Sequence, residues 1–152
     1  MFHVVLVEPE IPPNTGNIGR LCLATGARLH LVKPLGFHTD DRALRRAGLD
    51  YWHRVQVTEW DSWEALREAH SSSRFWLLTT KTTRLYWDAS FAPGDFLVLG
   101  RESKGLPETL LAKWPDRCLT IPMVPGATRS LNLATAAGIV LYEAVRQVRT
   151  AT

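Results

Sequence analysis

One continuous stretch organises the interpretation of this chain: Ile121-Pro-Met-Val-Pro-Gly-Ala-Thr-Arg-Ser-Leu-Asn-Leu-Ala-Thr-Ala-Ala-Gly-Ile-Val-Leu-Tyr-Glu143. It begins as the end of an apolar strand, continues through a loop with two prolines and a glycine, and becomes a helix rich in small residues. Polar side chains at such a strand-to-helix turn suit a ligand, because the free N–H groups of the helix lie beside them. An ordinary loop in which Ser130 caps the helix is the alternative.

The composition is that of a folded protein with a mild basic excess. Of its 152 residues, 45% are hydrophobic and 22% are charged, which is close to the average for globular proteins and argues against disorder. This length fits one domain with a single core. The net charge of +3 permits a polyanionic partner without requiring one.

The cysteines and the longest apolar runs indicate where in the cell the protein works and whether it binds a metal. Cys22 and Cys118 have no second Cys or His at metal-ligand spacing, so we interpret both as reduced thiols and expect no metal. The first residues lack a signal-peptide pattern, and the longest apolar run, near Ala136 to Leu141, is shorter than the ~20 residues of a membrane helix. We expect a cytoplasmic protein without a membrane partner.

Strand patterns alternate with helix patterns along the whole chain. The strands are expected at His3–Val7, Arg28–Val32, His53–Val57, Arg74–Leu78, Asp95–Leu99 and Cys118–Ile121, and the helices over residues 14–26, 40–48, 61–69, 107–113 and 131–149. This alternation predicts an α/β fold, a mostly parallel sheet with helices on both faces. The ligand site of such a sheet lies beyond the carboxyl ends of the strands, and we place it where the loops after Leu78, Leu99 and Ile121 meet.

Several familiar enzyme signatures are absent. The first strand is followed by Glu8-Pro-Glu-Ile-Pro-Pro13 instead of a dinucleotide-binding Gly-x-Gly-x-x-Gly, and residues 103–105 do not complete a Walker phosphate loop. No Gly-x-Ser-x-Gly elbow occurs, and no His and Cys arrangement suits a covalent nucleophile. A nucleotide-dependent oxidoreductase is therefore disfavoured.

Three other motifs carry a resemblance. Asn14-Thr-Gly-Asn-Ile-Gly-Arg20, Leu99-Gly-Arg-Glu-Ser-Lys-Gly-Leu106 and the stretch from Ile121 to Ala134 resemble, in this order, the three motifs of the SPOUT superfamily of S-adenosylmethionine-dependent RNA methyltransferases. The opening residues 7–17, the segment Leu44-Arg-Arg-Ala-Gly-Leu-Asp-Tyr51 and the small size resemble a group of minimal bacterial tRNA methyltransferases within it. Members of that group methylate the ribose 2′-hydroxyl of the wobble nucleotide, cytidine or modified uridine 34, in certain leucine tRNAs.

The resemblance implies a fold and an assembly that residue patterns alone do not indicate. Residues 1–152 would form a single SPOUT domain with a C-terminal deep trefoil knot, and the knot and cofactor site would lie within about residues 75–149. The family is homodimeric, with active sites shared between two subunits. Small residues of the last helix, such as Ala134, Ala136, Ala137 and Gly138, suit a close dimer contact, although tight packing within one chain suits them equally.

The resemblance also assigns roles to single residues. It makes Arg20 the residue beside the target hydroxyl, and its active-site companions are Asn14, Glu102, Ser130 and Asn132. S-adenosyl-L-methionine, which leaves as S-adenosyl-L-homocysteine, would be held at Leu78, Gly100, Ile121, Met123, Ser130 and Leu131. Our candidates for contacts with tRNA phosphates are Arg42, Arg45, Arg46, Arg84, Lys104 and Arg129.

The residues also allow other interpretations. Arg20 and the three arginines of residues 40–48 are also compatible with a solvated surface, and Glu102 with a structural cap. An arginine stays protonated under ordinary conditions, so we expect Arg20 to stabilise developing negative charge or to bind a phosphate at least as readily as to act as a base. The alternatives to a wobble-nucleotide methyltransferase are methylation of another RNA, such as ribosomal RNA, and a non-catalytic RNA-binding module.

Overall fold

Parallel strands form the centre of the protein. The computed structural model describes residues 1–49 and 51–151, and within this part six strands pair in one sheet in the order β3-β2-β1-β5-β4-β6. The strands are β1 His3–Val7, β2 Arg28–Val32, β3 Val57–Trp60, β4 Phe75–Leu78, β5 Phe96–Leu99 and β6 Cys118–Leu119. Every pairing is parallel. Asp50, in the segment from Leu44 to Tyr51, and Thr152, the end of the predicted domain, lie outside the described residues.

Helices cover both faces of this sheet. They are α1 Pro12–Thr25, α2 Arg42–Ala47, α3 Trp63–Ala69, α4 Glu108–Lys113 and α5 Leu133–Ala151, with single 3-10 turns at Trp52–Arg54, Tyr86–Asp88 and Pro115–Arg117. Their ends follow the local sequence: the Ser62 hydroxyl accepts from the Ala65 N–H at 3.0 Å to begin α3, and Gly26 ends α1 at a φ of 74°.

The core is divided between the two faces by the alternation of side chains along each strand. In β1, Val4 and Leu6 belong to the cluster that packs against α1 and α5, whereas Val5 belongs to the cluster that includes Leu66 of α3 and Leu110 of α4. Strands buried on both faces need continuous apolar runs, which is why the sequence indicated them. The predicted α/β fold with a mostly parallel, doubly covered sheet is confirmed.

The expected third strand at His53–Val57 was wrong. Residues Trp52–Arg54 form a 3-10 turn, and the strand lies at Val57–Trp60, where Val57 pairs with Leu29 of β2. Trp52 is buried against Gly19, where a Cβ atom would come 2.7 Å from the indole ring. This packing of Trp52 against α1 keeps the neighbouring residues out of the sheet.

The carboxyl end of the sheet differs in detail from the expectation. β6 ends at Leu119, and Thr120 forms a single parallel bridge with Leu85. The Thr79 N–H donates to the Leu119 carbonyl at 2.9 Å, and the Thr120 N–H donates to the Arg84 carbonyl at 2.8 Å. These bonds hold residues 79–84 over the end of the sheet. The order of strands in a sheet does not show whether the chain passes through a loop, so the deep trefoil knot stays a prediction.

Candidate active site

A cavity of about 980 Å³ opens beyond the carboxyl ends of β5, β4 and β6. Its walls are residues 79–81, residues 100–108 and parts of residues 119–133, with Glu8, Ile11 and Asn14 contributed from the region around the start of α1. The three predicted loops therefore do meet at one edge of the sheet. Ligand cavities of parallel sheets lie at this edge because the loops there leave the strands in the same direction.

Most of the predicted site residues border this cavity. All residues proposed for the cofactor do so, namely Leu78, Gly100, Ile121, Met123, Ser130 and Leu131. Asn14, Glu102 and Asn132 from the predicted catalytic set also line it. Among the predicted RNA contacts, Lys104 and Arg129 line the cavity and are exposed. The roles of these residues stay predictions.

The wall formed by residues 100–106 is a tight reversal that depends on two glycines. The Gly105 N–H donates to the Arg101 carbonyl at 2.7 Å, and the Arg101 N–H donates back at 3.2 Å. Gly105 has a φ of 70°, a conformation that L side chains rarely adopt. A Cβ atom on Gly100 would overlap the backbone of Gly105 and Leu106. Only glycine at residue 100 therefore allows the two sides of this reversal to approach so closely.

Glu102 caps helix α1 from a distant part of the chain. Its carboxylate accepts from the backbone N–H groups of Glu10 and Ile11 at 2.8 and 2.9 Å, and from the Asn14 side-chain amide at 3.2 Å. Ile11 is the N-cap of α1 and offers no side-chain cap of its own, and Pro12 follows it. A carboxylate near a helix N-terminus is also favoured by the helix dipole. Glu102 therefore makes the bonds of a structural cap, which was the alternative to a catalytic role for this residue.

Asn14 and Asn132 extend this arrangement to the last helix. The Asn132 amide nitrogen donates to the Asn14 side-chain oxygen at 3.0 Å, while the Asn132 side-chain oxygen accepts from the N–H groups of Ala134 and Thr135 at 2.9 and 3.2 Å. Asn132 is therefore the N-cap of α5, which begins at Leu133. The capping role that the sequence suggested for Ser130 belongs to Asn132, and the exposed Ser130 remains at the cavity wall.

The sequence interpretation missed Glu10 and Ser103. The Glu10 carboxylate accepts from the Ser103 N–H at 2.9 Å and from its hydroxyl at 2.8 Å, and it lies 3.7 Å from the Arg101 guanidinium. These hydrogen bonds to Ser103 lower the pKa of Glu10, with a smaller contribution from the positive charges of Arg101 and Lys104. Glu10 lies in Glu8-Pro-Glu-Ile-Pro-Pro13, which ends the first strand and belongs to the opening residues of the resemblance, and Ser103 lies in the second motif, but neither pattern indicates that the two side chains meet.

Arg20 does not line the cavity of its own chain. It lies on the exposed face of α1, and no hydrogen bond or ion pair of its guanidinium occurs within residues 1–49 and 51–151. Asn14 lies six residues earlier on α1, about 9 Å along the helix axis and roughly 120° around it. Gly16, by contrast, faces α2, where a Cβ atom would overlap the Leu44 carbonyl.

The other predicted RNA contacts also lie away from the cavity. Arg42, Arg45 and Arg46 are exposed on α2. Arg84 donates to the Asp116 carbonyl at 3.1 Å and lies 5.3 Å from the ring centre of Trp76. The predicted set therefore divides into a pair at the cavity and four arginines outside it.

Comparison with known proteins identifies the family of the chain. Residues 1–142 match the SpoU rRNA Methylase family. The chain belongs to this family. The SpoU match includes all three motifs and the cavity residues on them, because it extends from β1 into α5.

Several SpoU-type relatives show which proteins this chain resembles. A tRNA (cytidine(34)-2'-O)-methyltransferase from Saccharophagus degradans is 50% identical, over 97% of this chain and 96% of the relative. A solved structure described as giving insights into the 2-OH methylation of C/U34 on tRNA superposes with a TM-score of 0.92 and is 46% identical, over 100% of this chain and 98% of that one. The SpoU methyltransferase AviRb from Streptomyces viridochromogenes, in complex with the cofactor AdoMet, is 26% identical with a TM-score of 0.83, over 99% of this chain and 61% of AviRb.

The cavity suits a cofactor of the kind bound by AviRb. Its volume lies at the upper end of the range for small-molecule sites, and Leu78, Ile121 and Leu131 give it apolar walls. Gly100 also borders it. Across the described residues, no cluster of three His, Cys, Asp or Glu side chains could hold a metal ion, and no helix combines the length and apolar character needed to cross a membrane.

Proposed function

We propose that this protein transfers the methyl group of S-adenosyl-L-methionine to the ribose 2′-hydroxyl of nucleotide 34, cytidine or modified uridine, in cytoplasmic tRNA. The observation that supports this most directly is the cavity where the loops after Leu78, Leu99 and Ile121 meet, because the second and third motifs form two of these loops and Asn14 of the first motif also lines the cavity. Relatives that match nearly the whole chain are named tRNA (cytidine(34)-2'-O)-methyltransferase. Leucine tRNAs are the expected substrates, and residues 1–152 act as one domain with the cofactor site within about residues 75–149.

The side chains at the cavity bind and orient the reactants. When bound, S-adenosyl-L-methionine supplies a methyl group that is already activated by its sulfonium, so the protein needs no nucleophile of its own. Leu78, Ile121, Met123 and Leu131 would hold the cofactor through apolar contact, with Gly100 and Ser130 beside it. Positioning of the ribose hydroxyl against the methyl group is then the main contribution of the protein.

Arg20 completes this site from a second copy of the chain. The cavity has no Arg20 of its own, whereas Arg20 is exposed on α1 and unpaired among the described residues. We therefore propose a homodimer in which Arg20 of one subunit reaches the cavity of the other. The guanidinium would stabilise negative charge that develops on the ribose oxygen, or anchor the adjoining phosphate.

The small residues of α5 contribute little to the argument for a dimer. Ala137 is buried inside the chain, and Gly138 faces Leu21 of α1, where an added Cβ atom would lie 4.0 Å away. The intrachain alternative accounts for both residues. The position of Arg20 is therefore the stronger support for a shared site.

The remaining basic residues fit an extended RNA surface. Lys104 and Arg129 lie at the cavity, where they would contact phosphates beside the target nucleotide. Arg42, Arg45 and Arg46 on α2 and Arg84 after β4 would contact more distant phosphates. Such contacts position an RNA without reading its sequence.

Transfer of labelled methyl groups to purified RNA tests the proposal. Wild-type protein should label tRNA at nucleotide 34 but not ribosomal RNA, and Arg20→Ala should lower the rate by about 100-fold or more, as loss of a charge-stabilising group does. Arg28→Ala, an exposed arginine at the amino end of β2 and outside the cavity, is the matched control and should leave the rate within about twofold of the wild type. Undiminished transfer by Arg20→Ala would exclude the role assigned to Arg20.

Methylation of ribosomal RNA is the second candidate, because the family description itself names rRNA. Mass spectrometry of tRNA and rRNA from a deletion strain separates the two substrates. Loss of the ribose methyl at tRNA nucleotide 34 is expected, and its persistence would refute the narrower assignment. Titration with S-adenosyl-L-homocysteine addresses the non-catalytic alternative, since a module that only binds RNA would not take up the product.

A further inference from the structure

Two segments at the edge of the cavity are joined by a reciprocal pair of carboxylates. Glu102, in the wall formed by residues 100–106, binds the backbone N–H groups of Glu10 and Ile11. In the opposite direction, the Glu10 carboxylate binds the backbone N–H and the hydroxyl of Ser103. We call this arrangement of Glu10, Ile11, Glu102 and Ser103 the clasp. Each half uses a charged acceptor and at least one backbone donor, which is the stronger kind of hydrogen bond.

The clasp connects two parts of the proposed active site. One side is the wall at residues 100–106, which borders the cavity over its whole length. The other side is the segment that leads directly into α1, the helix that carries Asn14 and Arg20. A helix transmits the position of its first turn to residues further along, because its backbone bonds fix each turn on the one before. The orientation of α1 therefore depends on how residues 10 and 11 are attached to the cavity wall.

Glu10 supplies the half of the clasp that has no other support. Glu102 is also held by Asn14, whereas the Glu10 carboxylate has only Ser103 and the longer contact to Arg101 among the described residues. Ser103 is exposed on the turn that the Arg101–Gly105 hydrogen bonds close, and Glu10 accepts from both its N–H and its hydroxyl. Loss of the Glu10 carboxylate would free the middle of the wall while the cap on α1 remained in place.

We propose that Glu10 is a positioning residue for methyl transfer, which holds the cavity wall at Ser103 in register with helix α1. The inference rests on the proposed function and goes beyond it, because Glu10 does not line the cavity and would act only through the residues that do. Glu10 acts through the wall, so its loss weakens cofactor binding and misaligns the reactants. Hydrogen bonds at an exposed site contribute little to the stability of the whole fold, so unfolding should be almost unaffected.

Binding of S-adenosyl-L-homocysteine to full-length protein tests this without any RNA. Calorimetric titration of Glu10→Ala should give a Kd about tenfold higher than that of the wild type, the size expected for one or two lost hydrogen bonds. Glu10→Gln should lie between the two, because the amide oxygen can still accept from the Ser103 N–H. Glu68→Ala is the matched control, since Glu68 is an exposed glutamate on α3, and it should bind like the wild type.

A double-mutant cycle and amide exchange show whether Glu10 acts through Ser103. Ser103→Ala alone should raise the Kd by about threefold, and Glu10→Ala with Ser103→Ala should be no worse than Glu10→Ala, because the second change removes nothing further. Exchange of the Ser103 amide hydrogen should become several-fold faster in Glu10→Ala. Thermal unfolding of all variants should lie within about 2 °C of the wild type.

The outcomes separate this inference from the proposed function. Wild-type Kd and unchanged Ser103 exchange in Glu10→Ala would overturn the positioning role, even if the wild type methylates tRNA. Additive effects of Glu10→Ala and Ser103→Ala, or a large loss of thermal stability that accounts for the weaker binding, would also overturn it. If the wild type binds S-adenosyl-L-homocysteine but methylates no tRNA, the proposed function fails, while a tenfold weaker Glu10→Ala still supports the clasp.

Discussion

The two ends of the sheet use similar polar groups for different purposes. Near the amino ends of β4 and β5, the buried Asp95 carboxylate accepts from the Arg74 guanidinium at 2.7 Å, the Trp76 indole at 3.0 Å and the Ala92 N–H at 3.0 Å. At the carboxyl ends, the Glu102 carboxylate also accepts three N–H groups, but beside an open cavity. A buried carboxylate stabilises the fold because its partners have no water to replace it. One at a cavity edge mainly fixes geometry.

A cluster of three histidines, His3, His30 and His70, is a second group of polar side chains that lies away from the cavity. The His30 ring accepts from the Trp60 indole at 2.9 Å and is paired with His3 at 2.9 Å, so His30 is neutral and donates through its second nitrogen. His70 and Phe96 pack against the same rings. None of these side chains lines the cavity. We therefore expect perturbations of this side to change stability, and perturbations of the cavity side to change binding.

The largest effect on stability is expected for Asp95→Ala. It removes the carboxylate of a residue that is 3% exposed, leaves the Trp76 indole and the Ala92 N–H without this acceptor, and leaves Arg74 with only its hydrogen bond to the Ser90 carbonyl among the described residues. Breaking such a pair should lower the free energy of unfolding by about 3 kcal/mol, the low end of the range because Arg74 still reaches water. Chemical denaturation measures this free energy. The control is Asp61→Ala, which removes an exposed ion pair with Lys33 and should lower the free energy of unfolding by less than about 0.5 kcal/mol. Equal losses in the two variants would remove the contrast between buried and exposed carboxylates.

Acidification should produce the next largest effect. Burial, together with the nearby charges of His70 and Arg28, lowers the pKa of His3 to about 4, and burial together with His3 and His70 lowers that of His30 to about 3. The unfolded chain then binds protons that the folded chain does not, so stability is full above about pH 6.5 and falls as the pH drops towards 4. The loss should be about 2 kcal/mol, after allowance for the partial exposure of His3.

Denaturation at pH 7, 6, 5 and 4 checks this dependence. Carboxylates also lose stabilising bonds in acid, so the informative comparison is His30→Gln, whose curve should be flatter than that of the wild type. His53→Gln is the control, because His53 is exposed and lies outside the cluster. A wild-type curve as flat as that of His30→Gln would show that the cluster does not titrate with folding.

Glu102→Ala should have the smallest of these three effects on stability and the largest effect on ligand binding in the cavity. Loss of the cap on α1 should cost about 1 kcal/mol, because water can replace the carboxylate at the exposed Ile11 N–H. Binding of S-adenosyl-L-homocysteine should nevertheless weaken by at least about tenfold, since Asn14, α1 and the wall lose their common partner. Calorimetric titration of both variants with S-adenosyl-L-homocysteine at neutral pH checks this. A larger loss of affinity in Asp95→Ala than in Glu102→Ala would contradict the contrast between the two ends of the sheet.

Sequence patterns were reliable where the physical cause is local. Val4–Val7 is continuously apolar and Arg28–Val32 is apolar except for Arg28 at its exposed start and the hydrogen-bonded His30, as is typical of strands buried on both faces, and both strands have the predicted bounds. The third strand was misplaced because the apolar alternation of Val55 and Val57 fits a strand that begins before Val57 as well as one that begins at it. The packing of Trp52 against Gly19 decides between them, and only Val57 enters the sheet. The cap of α5 was ambiguous for a similar reason, since Ser130 and Asn132 are both good N-cap residues.

The sequence by itself determined the kind of sheet, the edge at which the cavity opens and the polar residues available there. These follow from the period of apolar residues and from the parallel direction of the strands, both of which are local properties. Only the tertiary structure decided that Glu102 caps α1 and that Glu10 binds Ser103, because these partners lie about 90 residues apart in the chain. It also decided that Arg20 is exposed and does not line the cavity of its own chain. Bonds between distant residues depend on how helices and loops pack around the sheet, which no local pattern of residues specifies.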